Sequence, residues 1–345
     1  MNEDLFEKLE KFSFSRELPT HDYLFELADR TAGILESESD VWRPCSEKKE
    51  LGGLLDFTVK GFENLPAIIV PDLHARPYFI FNIMKFILPD NFIEEKTGIS
   101  VYDALCQNLV RVICVGDLLH SELRGKERWL AAKDEFLEGN CTGENMASEM
   151  AEGLSLLSAV MELKCAFPKN FHILKGNHEN IMNVNNHGNF PFRKFANEGE
   201  MVRIFMEEMY GDDVVMVIFC FENALPLLAA LPSVVVSHAE PEVAFSKEQI
   251  INGMGNDFVV KALTWTGNDE AEEGSVLKML KEFTTCKDPL DARYIAGHRP
   301  VSGKYFLRQD GLFVQIHNPE KQHIALVSKD RFFNPNTDIV SVVPE

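Results

Sequence analysis

The sequence predicts an α/β fold organised around a parallel sheet, and three observations lead to it. Short apolar runs of strand length recur at 66–71, 112–115, 171–175, 234–236 and 293–296. The stretches between the first three carry helical spacing or helix-start signals, the crossover grammar that parallel strands need. Each run also ends in residues with chemistry: Asp72 and His74, Asp117, Asn177 and His178, His238, and His298. Open α/β sheets place their functional groups at the carboxyl ends of strands.

Taken in order, residues 1–50 read as amphipathic helix. Leu5, Phe6, Leu9 and Phe12 keep one face, and Tyr23, Leu24, Leu27, Ile34 and Leu35 continue it after Pro19-Thr20. No chemistry falls there, so residues 1–50 are expected to be a helical extension packed on a main domain of residues 51–345. The run 66–71 ends in Asp72-Leu73-His74-Ala75-Arg76, and an extended backbone there would put Asp72 and His74 on one side. Pro77 starts a helix to about Leu88, and Ser100 caps another over 101–110. The run 112–115 leads into Gly116-Asp117-Leu118-Leu119-His120.

Residues 125–166 form a helical insertion. Trp129, Leu130, Lys133, Phe136 and Leu137 keep helical spacing, Gly139 stops it, and Met146, Met150, Leu154, Leu157 and Met161 resume it. The 60 residues from Asp117 to Asn177 exceed what a crossover requires. Two readings stay open: a cap over the cleft, with Arg124, Lys126 and Arg128 bringing positive charge, or a buttress on the far side of a sheet.

The run 171–175 delivers Gly176-Asn177-His178-Glu179-Asn180, where glycine permits a sharp turn without a Cβ clash. The turn presents an amide oxygen, an imidazole and a carboxylate together. Residues 183–193 read as a loop, 198–210 as helix, and 214–221 as a strand-like run. The strand 234–236 ends in Ser237-His238, a helix begins near Lys247, and 293–296 ends in Gly297-His298-Arg299-Pro300. Residues 305–307, 312–316 and 324–327 complete the strands.

The chain has 345 residues, 45% of them hydrophobic, enough for a large core. Its 54 acidic and 34 basic residues, net −20, argue against non-specific binding to nucleic acid or anionic membrane. Seven scattered cysteines without a CxxC pair read as reduced thiols. The acidic start Met1-Asn2-Glu3-Asp4 lacks signal-peptide features, and no apolar run nears the ~20 residues of a bilayer span, so a cytoplasmic protein is expected.

The strand-end residues are separated by 43, 60, 61 and 60 positions, too far for a local zinc knuckle. They suit a site assembled from several loops over a sheet. A lone histidine is usually a satisfied structural residue, but agreement among five junctions points to a shared purpose.

Asp72-x-His74, Gly116-Asp117, Gly176-Asn177-His178-Glu179, His238 and Gly297-His298 resemble, in order, the motifs of calcineurin-like metallophosphoesterases. The resemblance spans about residues 66–327. Leu225 to Ala230, Leu263-Thr264-Trp265-Thr266, and a final Gly-His without a second histidine two residues later are similar to its phosphoprotein phosphatase branch. The resemblance implies two packed mixed β-sheets flanked by helices, a four-layer α/β/β/α fold. It also implies two metal ions, the first held by Asp72, His74 and Asp117, the second by Asp117, Asn177, His238 and His298. This donor set suits Mn, Fe or Zn better than Ca. A hydroxide bridging the metals would attack phosphorus, and His178 would protonate the leaving alkoxide.

The chain departs from that branch where phosphate is gripped. His120 and Ser121 stand in place of an aspartate and an arginine, Ala75 replaces a glycine, and Lys175 replaces an arginine. No arginine follows Trp265 within twenty residues. Arg76, Arg124, Lys175 and Arg299 are therefore the candidate substrate-binding residues, with Arg128 and Arg193 behind them. The expected activity is hydrolysis of a phosphomonoester, on a phosphoprotein or a small phosphoester. Hydrolysis of nucleotides or dinucleoside polyphosphates is the alternative, and a non-catalytic binding module is the third reading.

Overall fold

The computed structural model describes residues 3–90 and 92–344, so Met1 and Asn2 of the acidic start lie outside it. Helices α1 (Glu3–Phe14) and α2 (His21–Glu36) come first, followed by β1 (Leu54–Asp56), β2 (Ala67–Val70), α3 (Pro77–Lys85), α4 (Val101–Cys106) and β3 (Arg111–Cys114). The insertion supplies α5 (Lys126–Leu137) and α6 (Glu144–Ala166), then β4 (Phe171–Ile173), α7 (Glu198–Asn223), β5 (Leu228–Ala230) and β6 (Val234–Ser237) follow. The chain continues through α8 (Lys247–Ile251), α9 (Asp257–Thr264), α10 (Ser275–Phe283) and β7 (Arg293–Ala296). It ends with β8 (Phe306–Arg308), β9 (Phe313–Gln315), β10 (His323–Val327), α11 (Pro335–Asp338) and β11 (Ile339–Ser341).

These strands form two mixed sheets, ordered β11-β10-β2-β3-β4 and β1-β5-β6-β7-β9-β8. Within them β2, β3 and β4 run parallel, as do β6, β7 and β9. Strand periodicity sorts the side chains into layers. Ala67, Ile69, Ile113 and Val115 meet Val234, Val236, Ile295 and Val314 between the sheets. Ile68, Val70, Val112 and Cys114 face the other way, into a core shared with α1 to α7. Val235, Tyr294 and Ala296 face the core beneath α8 to α10. The two packed mixed sheets flanked by helices are as expected. No helix among the described residues is long and apolar enough to cross a membrane.

The run 214–221 is not a strand. It forms the second half of α7, beyond a break at Gly211 (φ 82°). Val214, Ile218 and Phe221 are buried at helical spacing, a pattern that short β-branched runs conceal. The insertion separates into two parts. Helix α6 is buried around most of its circumference and packs on α1, α2, α3 and α5, so it is a buttress. The 3₁₀ turn Glu122–Gly125 ahead of α5 approaches the strand ends, and Trp129 of α5 and Glu149 of α6 pack against the loop of His120 and Ser121.

A buried charge cluster joins the N-terminal helices to this core. Glu38 pairs with Arg43 at 2.7 Å and with Lys164 of α6, and its carboxylate lies 3.6 Å from His172 Nδ1 on β4. Burial, then Lys164, lowers His172 from 6.5 to about 4. The unfolded chain therefore takes up this proton first as pH falls. Stability from the neutral ring is complete above about pH 6.5 and is lost toward pH 4, on the order of 3 kcal/mol. The urea midpoint of metal-free protein should fall less between pH 7 and pH 4.5 for His172→Gln than for the parent chain, the remaining fall coming from the other histidines held neutral by burial. Equal falls would refute this account.

Candidate metal centre

Both parallel groups of strands end at one edge, and that edge collects the expected residues. His74 Nε2, beyond β2, lies 3.8 Å from Asp72 Oδ2 and 3.5 Å from Asp117 Oδ2. His238 Nε2, beyond β6, lies 3.6 Å from the same Asp117 oxygen and 2.9 Å from Asn177 Oδ1. His298 Nδ1 stands 3.0 Å from Asn177 Oδ1 and 3.2 Å from His238 Nε2. The six side chains thus form two donor sets that meet at Asp117. Donors about 3–4 Å apart are what an ion with ligand bonds of roughly 2.0–2.2 Å brings together.

Backbone contacts orient these donors. His74 Nδ1 lies 3.1 Å from the His120 carbonyl and His238 Nδ1 lies 3.0 Å from that of Val115. A ring N–H given to each carbonyl leaves Nε2 as a lone pair facing the carboxylates. Glu179 secures the Asp117 loop, its Oε2 accepting from the N–H of Asp117 (3.0 Å) and its Oε1 from Leu118 (2.9 Å). Gly297 is required by close approach, because a Cβ there would stand 1.7 Å from Asp72 Oδ1. In its place the Asp72 carboxylate accepts the His298 N–H at 2.9 Å.

The Asp72-Leu73-His74 stretch is not extended. β2 ends at Val70, and His74 and Ala75 take φ values of 42° and 51°. A tight loop, not strand alternation, brings Asp72 to His74. Asp117 (55°), His120 (75°), Glu122 (53°) and His298 (64°) share this left-handed backbone. Such strain costs about 1–3 kcal/mol per residue and persists where surroundings dictate it. Here the His74 N–H donates to the Asp117 carbonyl at 2.8 Å, and that of Ala75 to Leu118 at 2.9 Å.

Electrostatics favour positive charge at this cluster. Burial, with Glu179 and Asp72 adding like charge, pushes the Asp117 carboxyl well above its ordinary range. Burial likewise lowers His74 to about 3 and depresses His178, His238 and His298, keeping these rings neutral. Crowded carboxylates among neutral imidazoles with lone pairs turned inward fit cations in both donor sets.

His178 sits beside the donors. Its backbone N–H donates to Asp117 Oδ1 at 3.0 Å, and its ring packs 4.5 Å from Phe192 and 5.2 Å from His120. His120, in place of the aspartate, stacks on Trp129 and turns Nε2 toward Glu198 at 3.5 Å.

The expected substrate-binding cations fare differently. Arg76 is buried and donates to the carbonyls of Asp72 (2.6 Å), Leu73 (3.0 Å) and Lys321 (3.2 Å). Lys175 is buried and donates to the Glu179 carbonyl at 2.7 Å. Both side chains are engaged by backbone carbonyls and hold loops in place. Arg124 pairs with Glu152 and donates to the Ala75 carbonyl at 2.9 Å, and Arg128 pairs with Glu149 and Glu152. Arg299 is exposed, its guanidinium edging Gly267, with no side-chain partner among the described residues. A cavity of about 320 Å³ opens beside His74, walled by Arg76, Tyr78, Ser121, Glu122 and Arg124.

Two buried residues at the centre escaped the sequence reading, Glu122 and His317. His317 follows β9 just as His298 follows β7. The run 312–316 leading straight into a histidine was the available signal, but no glycine marks the turn.

At the sequence level no protein-family model and no curated protein matches the chain. Among solved structures it is similar to a protein serine/threonine phosphatase from Saccharomyces cerevisiae described as similar to human phosphatase PP5. The TM-score is 0.60 at 12% identity, over 100% of this chain and 97% of that one. A cold-active protein-tyrosine phosphatase of a psychrophilic Shewanella species gives a TM-score of 0.49 at 9% identity, over 81% of each chain. The first likeness establishes a shared fold, in agreement with the resemblance to the phosphoprotein phosphatase branch.

Proposed function

We propose that this protein is a metal-dependent phosphoric ester hydrolase acting on a phosphomonoester. The observation that supports it is the pair of donor sets, Asp72, His74 and Asp117 on one side and Asn177, His238 and His298 on the other, sharing the Asp117 carboxylate. Two cations bound there, Mn, Fe or Zn by donor type, would supply Lewis-acid charge for phosphate oxygens and an acidified water as nucleophile. The chain's own residues do the rest. Asp117 orients both sets while its Oδ1 holds the His178 backbone. His178 delivers a proton to the leaving-group oxygen. Burial alone favours its neutral ring, and a phosphate dianion beside it favours the imidazolium. Among the described residues, Arg299 beside His298 and Arg193 beside Phe192 are exposed cations without a side-chain partner, and either can meet phosphate. In this reading residues 51–345 form the catalytic domain, and the helices of residues 1–50 are an extension upon it.

The test is turnover of an aryl phosphate by protein stripped with a chelator and refilled with manganese. Activity that vanishes on stripping and returns on refilling is expected. A screen of phosphopeptides, nucleotides and sugar phosphates under the same conditions assigns the substrate class. Full metal occupancy without turnover of any of these would leave a binding module instead.

A further inference from the structure

The geometry assigns His317 as a fourth protein ligand of the first metal position, beside Asp72, His74 and Asp117, with Glu122 as the carboxylate that orients it. This rests on the metal-centre reading above. His317 is fully buried, and its Nε2 lies 3.0 Å from Glu122 Oε2. A carboxylate there accepts a hydrogen bond from Nε2–H and so selects the tautomer whose Nδ1 is a bare lone pair. That Nδ1 is buried without a hydrogen-bond partner and points at Asp72 Oδ2 from 3.8 Å. His74 Nε2 lies at the same 3.8 Å from that oxygen, and the three donor atoms all fall within 4.8 Å of one another. Two imidazole lone pairs facing one carboxylate repel one another unless a cation lies between them. A carboxylate–histidine pair aimed in this way is how proteins fix the ring and tautomer of a metal ligand.

The surroundings fit Glu122 as the orienting group. Its other oxygen, Oε1, is engaged by Lys194 Nζ at 2.9 Å and also lies 3.6 Å from His74 Nε2, so the carboxylate borders the donor set while its Oε2 holds His317. Arg76 joins the two loops that must agree. It donates to the Asp72 carbonyl on one side and to the carbonyls of Asn318 and Lys321 on the other. Arg76 thus holds the His317 loop against the Asp72 loop.

The test titrates manganese into the full-length, chelator-stripped protein, reading binding by calorimetry and free manganese by electron paramagnetic resonance. The parent chain is expected to take up about two ions. His317→Ala should weaken one site by about a hundredfold or more and leave the other nearly unchanged. Glu122→Ala should weaken the same site by roughly 10–100-fold, the usual effect of losing a partner behind a ligand. Glu122→Gln, whose amide oxygen can still accept the ring N–H, should stay near the parent. Melting of the metal-free variants checks folding, and if His317→Ala fails to fold, the two Glu122 variants read the same bond. His317→Ala with both sites at parental affinity would overturn the assignment. So would Glu122→Gln as impaired as Glu122→Ala, which would make Glu122 itself the ligand. A parent chain that binds no manganese would instead overturn the metal-centre reading.

Discussion

Asp117→Asn is expected to lose both metal ions at once, whereas His74→Ala should mainly lose the first. One Asp117 oxygen, Oδ2, lies 3.5 Å from His74 Nε2 and 3.6 Å from His238 Nε2, so a single carboxylate serves both donor sets. An amide keeps one oxygen but loses the charge that both sets share. Elemental analysis of protein purified with manganese should fall from about two ions to well below one in the Asp117 variant. Two tightly held ions there would sink the shared-ligand arrangement. The metal-free proteins should show the reverse order of stability at neutral pH. Burial beside Glu179 and Asp72 raises the Asp117 carboxyl above its unfolded value, so its charged form disfavours the folded state. Asp117→Asn should therefore melt higher than the parent when both lack metal, and lower when both are supplied with it.

His178→Ala should keep the metal ions and lose about 10²–10⁴-fold in turnover of an alkyl phosphate, the usual scale of general-acid catalysis. Metal retention is expected because the link to the donors is mainly the backbone N–H, 3.0 Å from Asp117 Oδ1, which alanine keeps. The loss should be much smaller for an aryl phosphate, whose leaving group departs with little protonation. Equal losses on the two substrates would assign the ring to phosphate binding instead. His120 adds a second comparison. Its ring is sandwiched by Trp129 and Phe195 and meets His178 at 5.2 Å. His120→Ala should therefore lower turnover by letting the His178 ring move, with metal content unchanged.

Sequence by itself determined the strand ends. Asp72, His74, Asp117, Asn177, His238 and His298 stand directly beyond short apolar runs, and an apolar run ended by a chemical residue is a local pattern. The helix start at Pro77 and the Ser100 cap were legible for the same reason, since Pro at the first turn and a hydroxyl accepting from Asp103 act over three residues. The helices end at Lys85 and Cys106, however, short of the expected Leu88 and Val110. Residues 214–221 mark the limit of that information. A β-branched run satisfies a strand and a buried helix equally, and only the packing of Val214, Ile218 and Phe221 chose helix. The cations show the same limit more sharply. Arg76 and Lys175 lie within two residues of candidate metal ligands, yet carbonyls up to hundreds of residues away occupy the Arg76 donors. Whether a charge is free depends on which loops fold over it, and no local pattern records that. His317 lay in plain view after a strand but acquired meaning only when β9 paired with β7 and delivered it beside Asp72, 245 positions earlier in the chain. Parallel pairing sets which strand ends become neighbours, and that is a property of the sheet, not of any one segment.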